Sequence, residues 1–261
     1  MPASDLALVI EAIREAGEIA TRFAEAGAAR WDKPDGAGPV TEADLAVNAH
    51  LEDRLRGARP DYGWLSEESE DSDARLNNDT VFIVDPIDGT RSFVEGSKTW
   101  AHSVAIAHKG EITAGVVYLP LRGLLFAAAK GEGAMLNGAP IRVSTEADPD
   151  GAAVLATKPT LRAEHWPQGL PQFSHAHRPS LAYRLGLVAR ARFDAMLTFR
   201  PTWEWDVAAG SLIVTEAGGT VTDKTGMAPQ FNNASARLDG MIAAGKELHP
   251  ALLARMQPQM G

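Results

Sequence analysis

Six consecutive residues, Asp85-Pro86-Ile87-Asp88-Gly89-Thr90, carry the most readable chemistry in this chain. They follow the apolar run Val81-Phe82-Ile83-Val84, which reads as a buried strand, so two carboxylates three positions apart sit where a strand ends in a tight turn. Pro86 fixes one φ, and Gly89 lets the backbone approach a ligand closely. Carboxylates are acceptor-only groups, and a pair at this spacing suits a hard cation such as Mg²⁺. Gly89-Thr90 leaves backbone N–H groups to hold an anion, as a nest or a helix start does. Asp-Pro and Asp-Gly taken singly are ordinary turn dipeptides. All six directly after a strand point to metal plus phosphate.

Three other acidic segments stand at positions from which they could converge on this turn. Glu67 and Glu68 follow the short strand-like run Trp64-Leu65-Ser66; alone, such a pair is a solvated turn. Asp206 reads as an N-cap or first-turn acid before Ala208, Leu212, Val214 and Ala217, a helix ended by Gly218-Gly219. Asp44, in Thr41-Glu42-Ala43-Asp44, reads as the acidic member of a capping-box variant.

The elements that must position these groups alternate between helix and strand. Leu6, Ile10, Ile13, Gly17, Ala20 and Phe23 give one amphipathic helix with Ser4 as N-cap. A Gly/Pro-rich loop spans Pro34 to Pro39, and a second helix runs through Leu45, Asn48, Leu51 and Leu55 to a stop at Pro60. After the hexapeptide come strand-like stretches at Trp100–Ala107, Ile112–Leu119, Gly123–Ala129 and around Asn137-Gly138, separated by short turns, an antiparallel meander. The polar stretch 146–151 is the best internal boundary, dividing the chain into 1–145 and 146–261. Beyond it, strands are expected at 153–157, 194–199, 219–222 and 241–244, and helices near 180–190, 205–217 and 247–256. The class is α+β or layered α/β.

At 261 residues, 45% apolar and 23% charged, the chain has the composition of a globular protein. No apolar run approaches the ~20 residues that span a bilayer. The N-terminus lacks a basic segment and apolar core, so a cytoplasmic location is expected. A net charge of −9 argues against nucleic-acid and membrane partners, yet not against a small phosphorylated substrate, because bound cations invert the charge of an acidic site. With no cysteine, disulfides, thiolate catalysis and Cys-ligated zinc are excluded. The seven histidines show no metal-binding spacing, and His102, inside a strand pattern, reads as structural.

Leu65-Ser66-Glu67-Glu68, Asp85 through Thr90 and Trp205-Asp206-Val207-Ala208-Ala209-Gly210 resemble the three signature motifs of the inositol monophosphatase superfamily, and the likeness extends from Val40 to Gly219. The resemblance implies a layered α-β-α-β-α sandwich, with an antiparallel sheet in the N-terminal half, a smaller mixed sheet in the C-terminal half, and the site where the halves meet. It implies an Mg²⁺-dependent, commonly lithium-sensitive phosphomonoesterase, often a homodimer. By the same resemblance Glu67, Asp85 and the carbonyl of Ile87 would hold a first metal. Asp85 would bridge to a second, completed by Asp88 and Asp206, and Glu67 would border a third, with Lys33 close by. The amides of Gly89 and Thr90 would grip the phosphate. Asp44 would accept a hydrogen bond from the Thr90 hydroxyl, which polarises the attacking water beside Glu67. Five clustered carboxylates repel one another strongly, which fits a site that cations fill.

Departures from the pattern bear on substrate. Ser66 stands where inositol monophosphatases carry Gly, and Phe199, followed by Arg200, stands where they carry an acid for the inositol ring. Leu-Ser-Glu-Glu and Pro201-Thr202 look closer to the 3′(2′),5′-bisphosphate nucleotidase branch, in which a basic residue ahead of Leu-Val-Ala helps bind a second phosphate. Arg184, ahead of Leu187-Val188-Ala189, matches that position, and reads equally as a solvated helix residue. Phe199 is expected to offer a flat apolar face to a purine. A bisphosphate nucleotide is therefore slightly favoured as substrate over inositol 1-phosphate. Two readings from other classes stand beside this one: a non-catalytic relative that binds a partner protein or RNA polymerase, and a plain cation-binding protein without turnover.

Overall fold

The computed structural model describes residues 4–33 and 38–256. Positions 34–37 of the Gly/Pro-rich loop and the first three residues lie outside the described residues. In chain order the elements are α1 (Asp5–Ala26), β1 (Arg30–Asp32), β2 (Pro39–Thr41), α2 (Glu42–Ala58), β3 (Gly63–Ser66), β4 (Thr80–Asp88), α3 (Thr90–Val94), β5 (Ala101–His108), β6 (Glu111–Leu119), β7 (Leu124–Ala129), β8 (Ala134–Leu136) and β9 (Ala139–Pro140). There follow β10 (Ala153–Leu155), β11 (Ser174–Ala176), α4 (Leu181–Ala189), β12 (Ala195–Thr198), β13 (Thr202–Trp203), α5 (Glu204–Glu216), β14 (Gly219–Thr222), β15 (Arg237–Leu238), β16 (Met241–Gly245) and α6 (Leu248–Met256).

Strand β4 shows how the layers arise. Its side chains alternate between faces, as a strand's must. Phe82 and Val84 pack with Leu8, Ile13, Val47 and Leu51 of α1 and α2. Val81 and Ile83 pack on the opposite face with Leu185, Ala209 and Leu212 of α4 and α5. Both faces are covered, so the strand reads as a continuous apolar run. The sheet containing it has seven strands in the order β3-β4-β5-β6-β7-β8-β9. A second sheet has five, in the order β11-β10-β12-β16-β14. Met196 and Ala243 of the smaller sheet join the same core as α4 and α5, while Leu197, Ile242 and Ala244 face the other way onto Leu248 and Leu252 of α6. The layers are therefore α1/α2, large sheet, α4/α5, small sheet, α6: the expected sandwich.

Helix α5 lies close on the large sheet because its contact residues are small. A Cβ on Gly115 of β6 would stand 2.9 Å from the carbonyl oxygen of Ala209, and one on Gly210 only 2.6 Å from the Leu185 Cβ of α4. Gly115 permits the approach of α5 to the sheet, and Gly210 its approach to α4.

Two local expectations need correction. The large sheet is not wholly antiparallel: β3 pairs parallel with β4, the excursion 67–79 bringing the chain back to the same end. Asn137-Gly138 is the turn between β8 and β9, with φ of 51° and 82°, rather than strand; Asn-Gly is the preferred pair for a two-residue hairpin. The short ladders β1–β2 and β13–β15 and the edge strand β11 lack the periodicity that would announce them. The smaller sheet is mixed as expected, with β11, β10 and β12 parallel and β16 antiparallel to both its neighbours. Helix starts follow their caps: Ser4 accepts from the Ala7 amide, and Thr41 and Asp44 form a reciprocal capping box.

Candidate active site

In a regular strand, carboxylates at positions 85 and 88 would point to opposite faces. Here Asp85 pairs with Ser103 and Asp88 with Ala101, and the register slips between them. The bulge at Pro86-Ile87 re-aims the chain, and both carboxylates converge. Asp206 reaches them from the other half of the chain, as an acid in the first turn of α5. One oxygen from each of Asp85, Asp88 and Asp206 lies within 4.8 Å of the other two. Three anchors hold this arrangement. The Ser103 hydroxyl, opposite Asp85, donates to the Trp205 carbonyl at 3.0 Å, tying the start of α5 to β5. Oδ2 of Asp88 accepts from the Ser180 hydroxyl at 2.6 Å and the Ala182 amide at 2.7 Å, at the N-terminus of α4. His102 Nδ1 hydrogen-bonds the Pro86 carbonyl behind the bulge. His102 is thus structural, as expected.

Gly89 takes φ 98° and ψ 41°, the left-handed region that favours glycine, and Thr90 opens α3 directly after it. The first amides of a helix have no partner within it. The Thr90 hydroxyl lies 3.1 Å from Oδ1 of Asp44 and 3.1 Å from the Ile87 carbonyl. The other Asp44 oxygen accepts from the Thr41 amide at 2.8 Å. Asp44 thus uses one oxygen for the cap and has the other within hydrogen-bond distance of the Thr90 hydroxyl.

Glu67 stands outside the tight triad. Its Oε1 is 2.9 Å from Lys33 Nζ, which also lies 2.6 Å from Oε1 of Glu68. Ser66 is occupied structurally: its hydroxyl donates to Asn48 Oδ1 at 2.6 Å, fastening the end of β3 to α2.

Burial dominates the electrostatics. It pushes Asp85 well above the usual carboxylate range, with Glu67, Asp88 and Asp206 adding to the shift. Asp206 is raised in the same way, by burial and then by Asp88 and Glu67. Asp88 is pushed up to about 6 by burial, against its bonds from Ser180 and Ala182. Glu68 rises to about 7, again by burial, despite Lys33. Burial opposes the charge of Lys33, but Glu67 and Glu68 outweigh it and raise its pKa. Both oxygens of Asp85 are buried without any hydrogen-bond donor. Buried acceptors are normally partnered; an all-oxygen donor set around an orphaned carboxylate fits a hard divalent cation such as Mg²⁺.

Arg184 and Arg200 differ in exposure. Arg184 is only 4% exposed, so it is not a solvated helix residue. Its Nη2 meets His177 Nε2 at 2.7 Å and its Nε donates to the Arg178 carbonyl. Burial lowers its pKa to about 10, while Asp88 and Asp206 face it and favour its charge. Arg200 is exposed and near enough to Asp206 to favour that carboxylate's charged form. The expectation for Phe199 is wrong. It is buried at 8% exposure, with ring centroids 5.9 Å from Trp166 and 5.1 Å from His165, in the core beneath α6. An apolar ring flanked by aromatics gains more from that core than from a solvated cleft.

Sequence reading missed Ser180, Ser103 and Asn48. Only Ser180 carried a signal, as the N-cap of the helix at 181–189. The other two sit within regular elements and act through contacts that no local pattern encodes.

The site can be compared with known proteins. The sequence model of the inositol monophosphatase family matches residues 2–260. The Nus factor SuhB of Escherichia coli K12 is 33% identical over 268 residues, covering 98% of this chain and 96% of that protein. Nus factor SuhB of Pseudomonas aeruginosa is 32% identical over 270 residues, with the same coverage. Among solved structures, the extragenic suppressor protein SuhB of Bartonella henselae superposes with a TM-score of 0.84 at 29% identity, covering 99% of this chain and 100% of that one. The Thermotoga maritima IMPase gives 0.81 at 28% identity and 96% coverage of both. With its motifs, layers and acidic triad all in place, this chain belongs to the inositol monophosphatase family.

Proposed function

We propose that the chain is an Mg²⁺-dependent phosphomonoesterase that hydrolyses a small phosphate monoester by attack of water. The observation that carries this reading is Asp85, a buried carboxylate with both oxygens unpartnered, packed against Asp88 and Asp206. Glu67, Asp85, the Ile87 carbonyl, Asp88 and Asp206 would hold two or three ions. Bound Mg²⁺ supplies charge compensation for the phosphate and the leaving alkoxide and acidifies water. The amides of Gly89 and Thr90 position the phosphate. Asp44 accepts the Thr90 proton, which leaves a Thr90 lone pair to take a hydrogen bond from the attacking water beside Glu67. Catalysis of this kind needs positioning and charge compensation, with no covalent nucleophile.

As substrate class we retain a 3′(2′),5′-bisphosphate nucleotide, slightly ahead of inositol 1-phosphate. With Phe199 in the core, support rests on Arg184 facing Asp88 and Asp206, and on Arg200 beside it as a cation for a second phosphate. The test is phosphate release from adenosine 3′,5′-bisphosphate and from myo-inositol 1-phosphate, by wild type and Arg184→Ala. A higher kcat/KM on the bisphosphate, with the preference reduced by the substitution, is expected. Better turnover of inositol phosphate assigns the alternative activity, and an unchanged ratio removes Arg184 from recognition.

We further read the chain as a cytoplasmic, lithium-sensitive homodimer divided at 145/146. A second reading, partner binding in transcription, is favoured by one observation: the Escherichia coli and Pseudomonas relatives are named Nus factors. Absence of phosphate release from every monoester tried, with Mg²⁺ present, would favour it.

A further inference from the structure

Arg75 lies in the excursion that follows Glu67 and Glu68, and it is buried, with 3% exposed. Its Nε and Nη2 meet the Asp71 carboxylate at 2.6 and 2.9 Å, Nη1 donates to Asn232 Oδ1 at 2.6 Å, and Nη2 also donates to the Asn233 carbonyl at 2.8 Å. The same two asparagines turn their backbone amides to a second buried charge. Asn232 N donates to Glu204 Oε2 at 2.6 Å, and Asn233 N to Oε1 at 2.7 Å. Glu204, fully buried, is the first residue of α5, two positions ahead of Asp206. Asn232 adopts φ 61°, in the left-handed region.

A continuous relay therefore runs from the Glu67 segment, through Asp71, Arg75, Asn232 and Asn233, to the turn that carries Asp206. Helix α5 has no side-chain cap on its first amides, because Trp203 occupies that position. What fixes its first turn is the Glu204 carboxylate together with the bond from Ser103 to the Trp205 carbonyl. Burying two opposite charges is not an efficient route to stability, since apolar side chains of similar volume do as well or better. What the charges provide here is direction: a fork on one side and two carboxylate oxygens on the other, each engaged at a defined position.

We infer that Arg75 and Glu204 are positioning residues that set the spacing between the Glu67 side and the Asp206 side of the metal site. The inference rests on the reading of Glu67 and Asp206 as metal ligands. It is tested by calorimetric titration of Mg²⁺ into wild type, Glu204→Gln and Asn232→Gly, with Leu252→Val in the α6 core as a destabilised control. Glutamine keeps one acceptor of two; glycine keeps the left-handed backbone and removes only the Arg75 contact. Both variants are expected to bind Mg²⁺ about tenfold more weakly or worse, the usual scale for removing outer supports of metal ligands. Their kcat should recover at saturating Mg²⁺, whereas Leu252→Val loses melting temperature and keeps its affinity. If Glu204→Gln fails to fold, Asn232→Gly decides alone. Unchanged Mg²⁺ affinity in the folded variants, or an equal loss in Leu252→Val, overturns the inference and leaves the metal site standing. Wild-type protein that takes up no Mg²⁺ overturns both.

Discussion

Replacing Asp85 by asparagine should stabilise the metal-free protein at pH 8 while destroying its response to Mg²⁺. Ligand oxygens of Asp85, Asp88 and Asp206 lie within 4.8 Å of one another. At that separation two full charges repel by about 3.5 kcal/mol for an effective dielectric of 20. Asp85→Asn removes one charge from the middle of the cluster and changes the side-chain volume little. Taking relief of one such pair as the scale, about 3 kcal/mol, the melting temperature should rise by roughly 6–12 °C for a chain of this size. The effect weakens with acid. Asp85, Asp88 and Asp206 all have raised pKa values in the folded state, Asp88 at about 6. Each raised group favours folding below its unfolded value, and that contribution is lost as pH climbs through the folded value. Metal-free wild type should therefore be more stable at pH 5 than at pH 8, and the advantage of the variant should shrink at pH 5. Added Mg²⁺ should stabilise wild type, by about 2.7 kcal/mol at a hundred times its Kd, and leave the variant unmoved. Differential scanning calorimetry in EDTA and in Mg²⁺, at both pH values, checks all of this. A lower melting temperature for Asp85→Asn in EDTA at pH 8, or an Mg²⁺-induced rise equal to that of wild type, would refute the reasoning.

Steady-state kinetics with Mg²⁺ and with chelator should show complete loss of activity without the ion, and Asp85→Asn should cost more than Asp44→Asn, whose oxygens face Thr41 and Thr90. Thr90→Val should lower kcat at least ~10²-fold, with Mg²⁺ affinity by calorimetry nearly intact; an unchanged kcat would leave Thr90 as a helix-start residue only. Ser180→Ala removes a 2.6 Å bond to Asp88 and the cap on the Tyr183 amide, and should cost about 1–2 kcal/mol in denaturant unfolding. Gly210→Val should unfold the protein or abolish its metal response, read by circular dichroism, because its added atoms would meet Leu185 at under 3 Å.

Much of this was legible in the sequence, for identifiable reasons. Ser4 and Thr41 announce their helices because capping is local, and Val81 to Val84 announce a strand because burial on both faces leaves an unbroken apolar run. The convergence of Asp85, Asp88 and Asp206 came from motif order rather than from periodicity, which alone would have put Asp85 and Asp88 on opposite faces. The bulge that reconciles them is a tertiary feature. Phe199 was misread because an aromatic beside Arg200 looks the same in sequence whether it turns to a cleft or to Trp166. Arg184 was ambiguous because burial of a long cation depends on partners such as the Arg178 carbonyl, contributed by a loop without pattern. The parallel pairing of β3 was hidden by the excursion between the two strands.

The contribution of α5 to the acidic triad has a consequence for how the protein is made. Asp85 and Asp88 leave the ribosome long before Asp206, and at ~5–20 residues per second the interval is about 6–24 s. During that time the N-terminal half carries an incomplete set of acids, so a cation that needs all three could not help it fold. The large sheet must stand on the packing of α1 and α2 alone, with the face that α4 and α5 will cover still open to solvent. That apolar face is the natural point of attack for chaperones, or for aggregation, in the nascent chain. On the proposed function, metal capture would come last, once the whole chain has closed.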